Sequence, residues 1–329
     1  MALIMPPEWA PQDWIWIGFP HDAEEWPFCL DRARKQIAAF ASAVAESGQS
    51  VRLIVRDEAN VALARKLCSA RVTIQIFPFG DIWLRDTGPL VLQDIHDPTH
   101  QEALRCRFNG WGGKYLMEGD QQIGALLAKD AGLQIRRSDW ILEGGAIDGD
   151  GTGLVVTTEQ CLLNPNRNPD LSRADIEKRM ARDLGFDRIL WLGDGLVNDH
   201  TDGHVDNLAR FVAPGTLALP RAQGSDDPNA AIYADALRRA AAFGLKICDI
   251  PSPGRIERNG MIEPASYANF VITSRLVVVP TFGVAADSEA VETLAALFPD
   301  RDVIGLRADA VLAGGGGFHC ASQQMPRPG

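Results

Sequence analysis

The stretch from Phe270 to Leu306, FVITSRLVVVPTFGVAADSEAVETLAALFPDRDVIGL, contains each kind of secondary structure that the rest of the chain repeats. Two short apolar runs, Phe270–Thr273 and Leu276–Val279, predict neighbouring strands. Residues 288–298 then place apolar side chains at helical spacing, and Asp302–Leu306 predicts a further strand. The stretch therefore predicts a unit of three strands and one helix.

Similar strands and helices alternate along the whole chain. The other predicted strands are Trp14–Gly18, Val51–Val55, Val72–Phe77, Leu90–Gln93, Ala103–Phe108, Gly153–Thr158, Ile189–Leu192 and Leu208–Val212. The other predicted helices are residues 31–47, 173–184 and 229–243, the second of which follows Ser172 in a sequence close to a capping box. A doubly wound sheet would have about one helix per strand, and this excess of strands instead indicates a repeated unit of two or three strands with one helix. We expect one α/β domain over residues 1–329.

The composition is that of a globular protein and restricts the classes of partner. Hydrophobic residues make up 46% and charged residues 23% of the chain, and the formal net charge is −11. This charge argues against nucleic-acid binding and weakly favours a cationic ligand. The apolar runs are too short to span a bilayer, and no secretory signal is expected. Six scattered cysteines without a Cys-x-x-Cys pair favour a reducing cytoplasm over disulfides or a thiolate metal site.

Two glycine-containing segments carry the residues best suited to catalysis. Gly203–Asn207 contains His204 and Asp206, which would face one pocket if the segment were a strand, because strand side chains alternate. In Gly314–Cys320 a run of four glycines precedes the thiol, so that backbone and ligand can approach Cys320 closely. An imidazole, a carboxylate and an accessible thiol are the parts of a thiolate nucleophile with an acid–base partner.

Two more carboxylates lie beside glycines. Asp86 is in Trp83–Pro89, a predicted loop after an apolar run, where active residues often occur; a simple turn would also explain it. Glu143 precedes Gly144–Gly145, and here a bulge is the alternative. Several acids around one thiol indicate a cationic substrate.

Less specific interpretations stay open for these segments. His200, His204 and Asp206 could bind a metal, although Gly203 makes a shared helical face for the two histidines improbable. His200 could equally be a buried histidine that binds a neighbouring carboxylate. The glycine run could be a flexible loop with a structural cysteine. Strand alternation would point His319 away from the pocket that Cys320 faces.

Six segments occur together in the order found in agmatine deiminases. They are Trp83–Pro89, residues 108–113, Glu143–Gly145, residues 162–169, Gly203–Asn207 and Gly314–Cys320. The chain resembles that family, within the group that includes bacterial peptidylarginine deiminases, from Met5 to Gln324. The resemblance implies a pentein fold, a five-fold pseudosymmetric α/β propeller of ββαβ-like units with its active site in the central channel.

The resemblance also implies hydrolysis of a guanidinium group, most directly agmatine to N-carbamoylputrescine and ammonia, through a covalent amidino-cysteine intermediate. Cys320 would be the nucleophile and His204 the acid and then the base. Asp86 and Asp206 would bind the guanidinium nitrogens, and Glu143 would bind the remaining nitrogens or orient His204. Carboxylates gathered in this way should have raised pKa values in the free enzyme.

Further substrate contacts are expected from Trp83, Trp111, His200 and Gly315. Family members often have an acid where this chain has His200, which bears on recognition of the substrate's distal amine. No metal or organic cofactor is implied, and the expected partner is a small cationic guanidine of putrescine biosynthesis, bound by a monomer or a homodimer. The alternatives are a deiminase of arginine or peptidyl-arginine, a metal-dependent hydrolase and a non-catalytic binding protein.

Overall fold

Short strands and helices alternate through the computed structural model, which describes residues 2–329. The strands are β1 Leu3–Ile4, β2 Gln12–Gly18, β3 Ser50–Val55, β4 Thr73–Ile76, β5 Leu90–Asp94, β6 Gln101–Arg107, β7 Gln134–Ile141, β8 Asp148–Gly149, β9 Leu154–Thr158, β10 Arg188–Leu192, β11 Arg210–Ala213, β12 Thr216–Arg221, β13 Lys246–Pro251, β14 Glu257–Arg258, β15 Met261–Ile262, β16 Val271–Ile272, β17 Leu276–Thr281, β18 Asp302–Arg307 and β19 Ser322–Pro326. The helices are α1 Leu30–Glu46, α2 Glu58–Leu67, α3 Leu84–Thr87, α4 Gly110–Gly113, α5 Asp120–Asp130, α6 Glu159–Leu162, α7 Arg173–Leu184, α8 Ala230–Phe243, α9 Ala286–Leu297 and α10 Asp309–Leu312. Three 3-10 turns cover Gly144–Ala146, Val205–Asn207 and Tyr267–Asn269.

Five of the sheets in the described chain share one topology. The central strands are β2, β6, β9, β12 and β17, and each pairs antiparallel on one side and parallel on the other. The antiparallel partner is the first strand of its unit, and the parallel partner follows a crossover helix, as parallel pairing requires. The unit predicted from Phe270–Leu306 is confirmed as β16, β17, α9 and β18. The predicted mixed α/β class is confirmed as well.

The two ends of the chain complete one of these units together. Strand β19 pairs antiparallel with β2, so that Ser322 lies opposite Ile17. The unit therefore takes its first strand from the C-terminal end and its other strands from the N-terminal end. This pairing places Cys320 just before a first strand.

Each predicted strand and helix has a counterpart in the structure. Helix α1 buries Ile37, Phe40 and Val44, and α7 begins at a complete capping box formed by Ser172 and Asp175. The pattern missed α2, α5, β7, β12, β13 and β19, as well as the two-residue strands β1, β8, β14 and β15 and the one-turn helices α3, α4, α6 and α10. Strand β7 shows the reason, because its sequence QIRRSDWI is mostly polar and only its last two residues are buried.

The strand geometry on which a shared orientation of His204 and Asp206 depended is absent. Gly203–Asn207 is a turn that ends in a 3-10 helix, and β11 begins only at Arg210. The backbone has positive φ at Asp202 (63°) and Gly203 (85°), which breaks an extended conformation. Likewise the segment that carries Asp86 is a single helical turn. Within residues 2–329, no helix combines the length and apolar character needed to cross a membrane.

A buried carboxylate, Glu8, binds the starts of several units at once. Its Oε1 accepts from the N–H of Ile272 in β16 at 2.7 Å. Its Oε2 accepts from Arg210 Nη2 at 2.6 Å and from His319 Nε2 at 2.7 Å. Arg210 also donates to Asp148 in β8 at 3.1 Å. Burial alone would raise the pKa of Glu8, but Arg210 and His319 outweigh it and hold this pKa well below its usual range.

We expect Glu8→Gln to lower the free energy of unfolding by roughly 3–5 kcal/mol, because it leaves the buried guanidinium of Arg210 without its full counter-charge. The ionised Glu8 stabilises the fold above the usual carboxyl pKa, and this contribution is lost as the pH falls below it. Urea unfolding at several pH values measures both effects.

The matched control is Glu289→Gln, which removes an ion pair with Arg221 whose side chains are about half exposed. Its effect should stay within about 1 kcal/mol. Equal losses in the two variants would show that Glu8 does not hold the units together.

Candidate active site

A cavity of about 230 Å³ opens beside the thiol of Cys320. The predicted site residues that line it are Trp83, Asp86, Trp111, His200, Gly315 and Cys320. Three others, Glu143, His204 and Asp206, have no exposed surface and form the buried layer next to this lining. The nine predicted residues therefore do converge, although they lie on segments far apart in the sequence.

One recurring position in the fold brings the catalytic candidates together. Each lies in the short segment before the first strand of its unit: Asp86 before β5, Glu143 before β8, His204 and Asp206 before β11, and Cys320 before β19. In the remaining unit, the turn Tyr267–Asn269 lies in the same place before β16. Every unit thus contributes polar side chains to one buried cluster.

The thiol of Cys320 is nearly buried, with 5% of the residue exposed. Its Sγ lies 3.6 Å from Asp206 Oδ2 and accepts from Asn269 Nδ2 at 3.1 Å. Burial raises the pKa of this thiol well above its usual range, and the carboxylates of Asp206 and Asp86 raise it further. The protein alone therefore favours the neutral thiol over the nucleophilic thiolate.

Hydrogen bonds fix both carboxylate oxygens of Asp86, which lines the cavity. Its Oδ2 accepts from Trp111 Nε1 and its Oδ1 from the N–H of Gly145, each at 2.9 Å. A Cβ at Gly145 would lie 2.6 Å from His204 Nδ1, so this close approach requires glycine. Burial raises the pKa of Asp86; His204 opposes the increase, and Asp206 reinforces it.

The pKa of Asp206 is shifted in the direction opposite to that of Asp86. Burial would raise its pKa, but a 2.7 Å hydrogen bond from His319 Nδ1 and the charge of His319 outweigh burial and lower it. The expectation that the carboxylates as a group have raised pKa values is therefore wrong for Asp206 and right for Asp86. The contact with His319 thus favours the ionised form of Asp206 beside the thiol.

The surroundings of His204 favour its imidazolium form. Burial alone would lower its pKa, but nearby acids, of which Asp86 at 3.7 Å contributes most, raise it well above the usual range. Within residues 2–329 neither ring nitrogen has a hydrogen-bond partner. The raised pKa favours a protonated ring, whose nitrogens can donate to a group that enters the site.

Glu143 is directed at Arg167 and His204. Its Oε1 accepts from Arg167 Nε at 2.7 Å, and both side chains are fully buried. Ligand atoms of Glu143, Cys161 and His204 lie within 4.8 Å of one another, which is the one metal-compatible group in the described chain. Arg167 already neutralises Glu143, and burial raises the pKa of the Cys161 thiol, so these residues do not favour a cation. His200, His204 and Asp206 do not form such a group.

His200 lies on the exposed part of the cavity wall. Its ring is 6.2 Å from that of Tyr115, and its Nδ1 would be 3.1 Å from a Cβ at Gly315, where φ is +111°. The alternative of a buried histidine is therefore wrong for His200. Glycine at position 315 satisfies both the backbone conformation and the close approach of the ring.

Sequence reasoning missed several residues of the buried cluster. They are Glu8, Arg167, Asn269 and His319. His319 does not line the cavity, but it donates to Asp206 and Glu8 and so has a role that strand alternation did not predict. Its segment is a turn, so alternation did not apply. The sequence did contain a signal for Arg167, because it lies within residues 162–169, one of the six segments that carry the family resemblance. None of those segments contains Asn269.

We expect Asp86→Asn to lower the pKa of His204, because Asp86 is the acid that most favours its imidazolium. NMR of ¹³C-labelled histidine ring resonances across the pH range measures this change. Asp183→Asn is a suitable control, since Asp183 is a buried acid bound to Arg182 and Trp140. An unchanged His204 titration in Asp86→Asn would contradict the assigned charge state.

Known proteins resemble this chain over nearly its whole length. A family model described as Porphyromonas-type peptidyl-arginine deiminase matches residues 4–326. The agmatine deiminase of Stutzerimonas stutzeri is 35% identical, over 98% of this chain and 95% of that protein. The agmatine deiminase of Pseudomonas putida is 34% identical with the same coverage. The solved agmatine deiminase of Enterococcus faecalis superposes with a TM-score of 0.94 at 29% identity, over 100% of this chain and 97% of that one. This chain belongs to the Porphyromonas-type peptidyl-arginine deiminase family.

Proposed function

We propose that this protein hydrolyses the guanidinium group of agmatine, giving N-carbamoylputrescine and ammonia. The observation that carries the proposal is the convergence of Cys320, Asp86, Asp206 and a charged His204 at one cavity. Two carboxylates match the N–H groups of a planar guanidinium, which binds carboxylates in charge-assisted pairs. Membership of a deiminase family, with agmatine deiminases among the relatives, supports the same reaction.

The substrate itself completes the nucleophile. Asp86 and Asp206 raise the pKa of the Cys320 thiol, and a guanidinium bound between them offsets their charge. Binding therefore favours the thiolate next to the carbon that it attacks. The orientation also holds the leaving nitrogen toward His204, whose ring nitrogens are free to donate.

The reaction then proceeds by two displacements at one carbon. Thiolate attack forms the S–C bond; the His204 imidazolium gives its proton to the departing nitrogen, and the C–N bond breaks to release ammonia. Neutral His204 next takes a proton from water, and the resulting hydroxide adds to the amidino carbon. The C–S bond breaks, and its electron pair returns to Cys320. The former hydroxide loses its remaining proton to solvent, and the neutral ureido product leaves. Glu143 stays bound to Arg167 throughout, and its Oε2, which has no partner among the described residues, is available to a guanidinium nitrogen or to His204.

The fold that holds these residues is, in our proposal, a closed pentein propeller with five units around a pseudo-five-fold axis. Five sheets of one topology support it. The junction of both chain ends in the sheet of β19 and β2 also supports it, since a ring has no free first or last unit. The active site then lies on the axis, where the first strands begin.

The outer part of the cavity supports a substrate with a second positive charge. Glu25 and Asp81 line it together with His200, and the lining contains no lysine or arginine among the described residues. Burial raises the pKa of Asp81 well above its usual range, as expected for an acid that awaits a cation. The α-carboxylate of arginine would find no cationic partner here, whereas the primary amine of agmatine would find acids. Glu25 thus takes the part that an acid at position 200 would play.

The direct test is incubation of the purified protein with agmatine, arginine and simple alkylguanidines, with ammonia and ureido products measured. We expect agmatine to be the best substrate and Cys320→Ser to abolish turnover. A haloacetamidine should label Cys320 in the wild type. Near-normal turnover by Cys320→Ser would exclude the covalent mechanism.

We expect His200→Asp to lower KM for agmatine and Glu25→Gln to raise it, each by roughly 2- to 5-fold, the range of a partly exposed ion pair. Neither change should alter kcat strongly, because both residues lie away from the thiol. Butylguanidine, which lacks the distal amine, is the control substrate, and its KM should not change. Parallel changes with both substrates would place the amine elsewhere, and loss of all turnover in His200→Asp would make His200 catalytic.

A further inference from the structure

A second cavity, of about 540 Å³, opens where the end of β6 meets β7. Three arginines line it, Arg105 and Arg107 of β6 and Arg137 of β7, and among the described residues its lining contains no aspartate or glutamate. The whole chain, in contrast, has 43 acids and only 32 lysines and arginines. This cavity, which we call the arginine groove, therefore has a charge opposite to that of the molecule and favours an anion.

No acid of the described chain neutralises the three guanidinium groups. Asp139, two residues after Arg137, pairs with Arg179 instead. The side chain of Arg105 donates to a neutral acceptor, the backbone oxygen of Gln121, at 2.6 Å. Arg107 and Arg137 are exposed and have no side-chain hydrogen bond within residues 2–329. The groove thus keeps several charged N–H donors available to a ligand.

The pairing of β6 with β7 holds two of these charges side by side. Arg105 lies opposite Arg137 in the parallel register, and like charges opposite each other on neighbouring strands disfavour the pairing. The next paired residues are Arg107 and Ile141, so that two positions along β6 correspond to four along β7. Strand β7 therefore bulges beside the groove, as strands often do next to functional sites. An arrangement that costs stability and lacks a counter-charge is expected where a ligand supplies that charge.

Part of the groove wall is apolar. Phe108 and Leu116 line it, and 70% of the Leu116 surface is exposed. The volume lies within the roughly 300–1,000 Å³ of ordinary small-molecule sites. Guanidinium groups bind phosphate oxygens in paired hydrogen bonds, and three of them match a chain of phosphates better than a single phosphate. An apolar wall beside them suits a flat heterocyclic base. The chemistry therefore fits a nucleoside diphosphate or triphosphate.

The groove shares one segment of the chain with the catalytic cavity. Phe108 lines the groove, and its ring meets that of Trp111 edge-on with 4.8 Å between the centroids. Trp111 lines the catalytic cavity and donates to Asp86 Oδ2 at 2.9 Å. The backbone of Trp111 has φ of 52°, a conformation that bulky residues rarely adopt and that its surroundings must maintain. A ligand that fixes Phe108 therefore also fixes the ring that holds Asp86.

We infer that the arginine groove is an effector site for a nucleoside diphosphate or triphosphate. Its phosphates bind Arg105, Arg107 and Arg137, its base packs beside Phe108, and its presence strengthens agmatine binding by holding Trp111 in place. By linkage, bound agmatine strengthens nucleotide binding by the same factor. The site itself does not depend on the proposed function, which enters only where agmatine is the readout.

Isothermal titration calorimetry of the full chain with ATP, ADP, tripolyphosphate and adenosine, in buffer free of phosphate, tests the site. ATP and ADP should bind, tripolyphosphate should bind more weakly, and adenosine should not bind measurably. Arg105→Gln and Arg137→Gln should each weaken ATP binding by about 10-fold or more, since each removes a charge-assisted pair. Absence of ATP binding by the wild type would overturn the inference.

The matched control is Arg188→Gln. Arg188 is also exposed and donates to a neutral acceptor, Thr152 Oγ1, at 2.8 Å, but it lies outside the groove. This variant should bind ATP as the wild type does. Equal weakening in Arg188→Gln would show general charge attraction and overturn the inference. A groove variant that alters the oligomeric state in light scattering, while its ATP binding stays unchanged, would assign the arginines to an interface and overturn it too.

Steady-state kinetics tests the effector role. Saturating ATP should lower KM for agmatine by about 5-fold in the wild type, the lower end of ordinary coupling between two sites, and by less in Arg105→Gln and Arg137→Gln at the same ATP concentration. An unchanged KM in the wild type with ATP bound would overturn the effector role. ATP binding to the groove of a protein that does not act on agmatine would support the site and reject the proposed substrate.

Discussion

The ion pair of Glu8 with Arg210 is the contact on which the rest of the site depends. Glu8 accepts hydrogen bonds from β16, from Arg210 at the start of β11 and from His319 before β19, and Arg85 of α3 lies 3.7 Å away. Through Arg210 it also reaches β8. Directly or through Arg210, one carboxylate thus connects the beginnings of all five units. A buried charge with this many partners fixes their relative positions, because any displacement leaves a charge unpaired.

The same network sets the charge state of the catalytic residues next to it. His319 donates through one nitrogen to Glu8 and through the other to Asp206, so it couples the position of Glu8 to the cavity. This contact lowers the pKa of Asp206. Asp86 accepts hydrogen bonds from two neutral donors, and other acids also interact with its neighbour His204, so its pKa is raised. The pKa values of two carboxylates near one thiol are therefore shifted in opposite directions by their different neighbours.

The repeated unit explains why each part of the chain needs to contribute only one or two residues to the site. In every unit the segment before the first strand is short and irregular, so its side chains can point toward the common cluster. These segments are a helical turn, 3-10 turns and a tight turn, which share a position but not a conformation. For this reason no sequence repeat is visible, although the sheets have the same topology.

The sequence by itself determined the α/β class, the strand excess, most element positions and the identity of the reacting groups, because apolar periodicity and glycine-flanked polar residues are local signals. It did not determine the backbone at His204, which is a turn, nor the contacts of Asn269, His319 and Glu8. These residues lie next to catalytic atoms only through pairings between distant segments, such as β19 with β2. Their proximity, and the pKa values that follow from it, depend on burial and charge that only the tertiary structure creates.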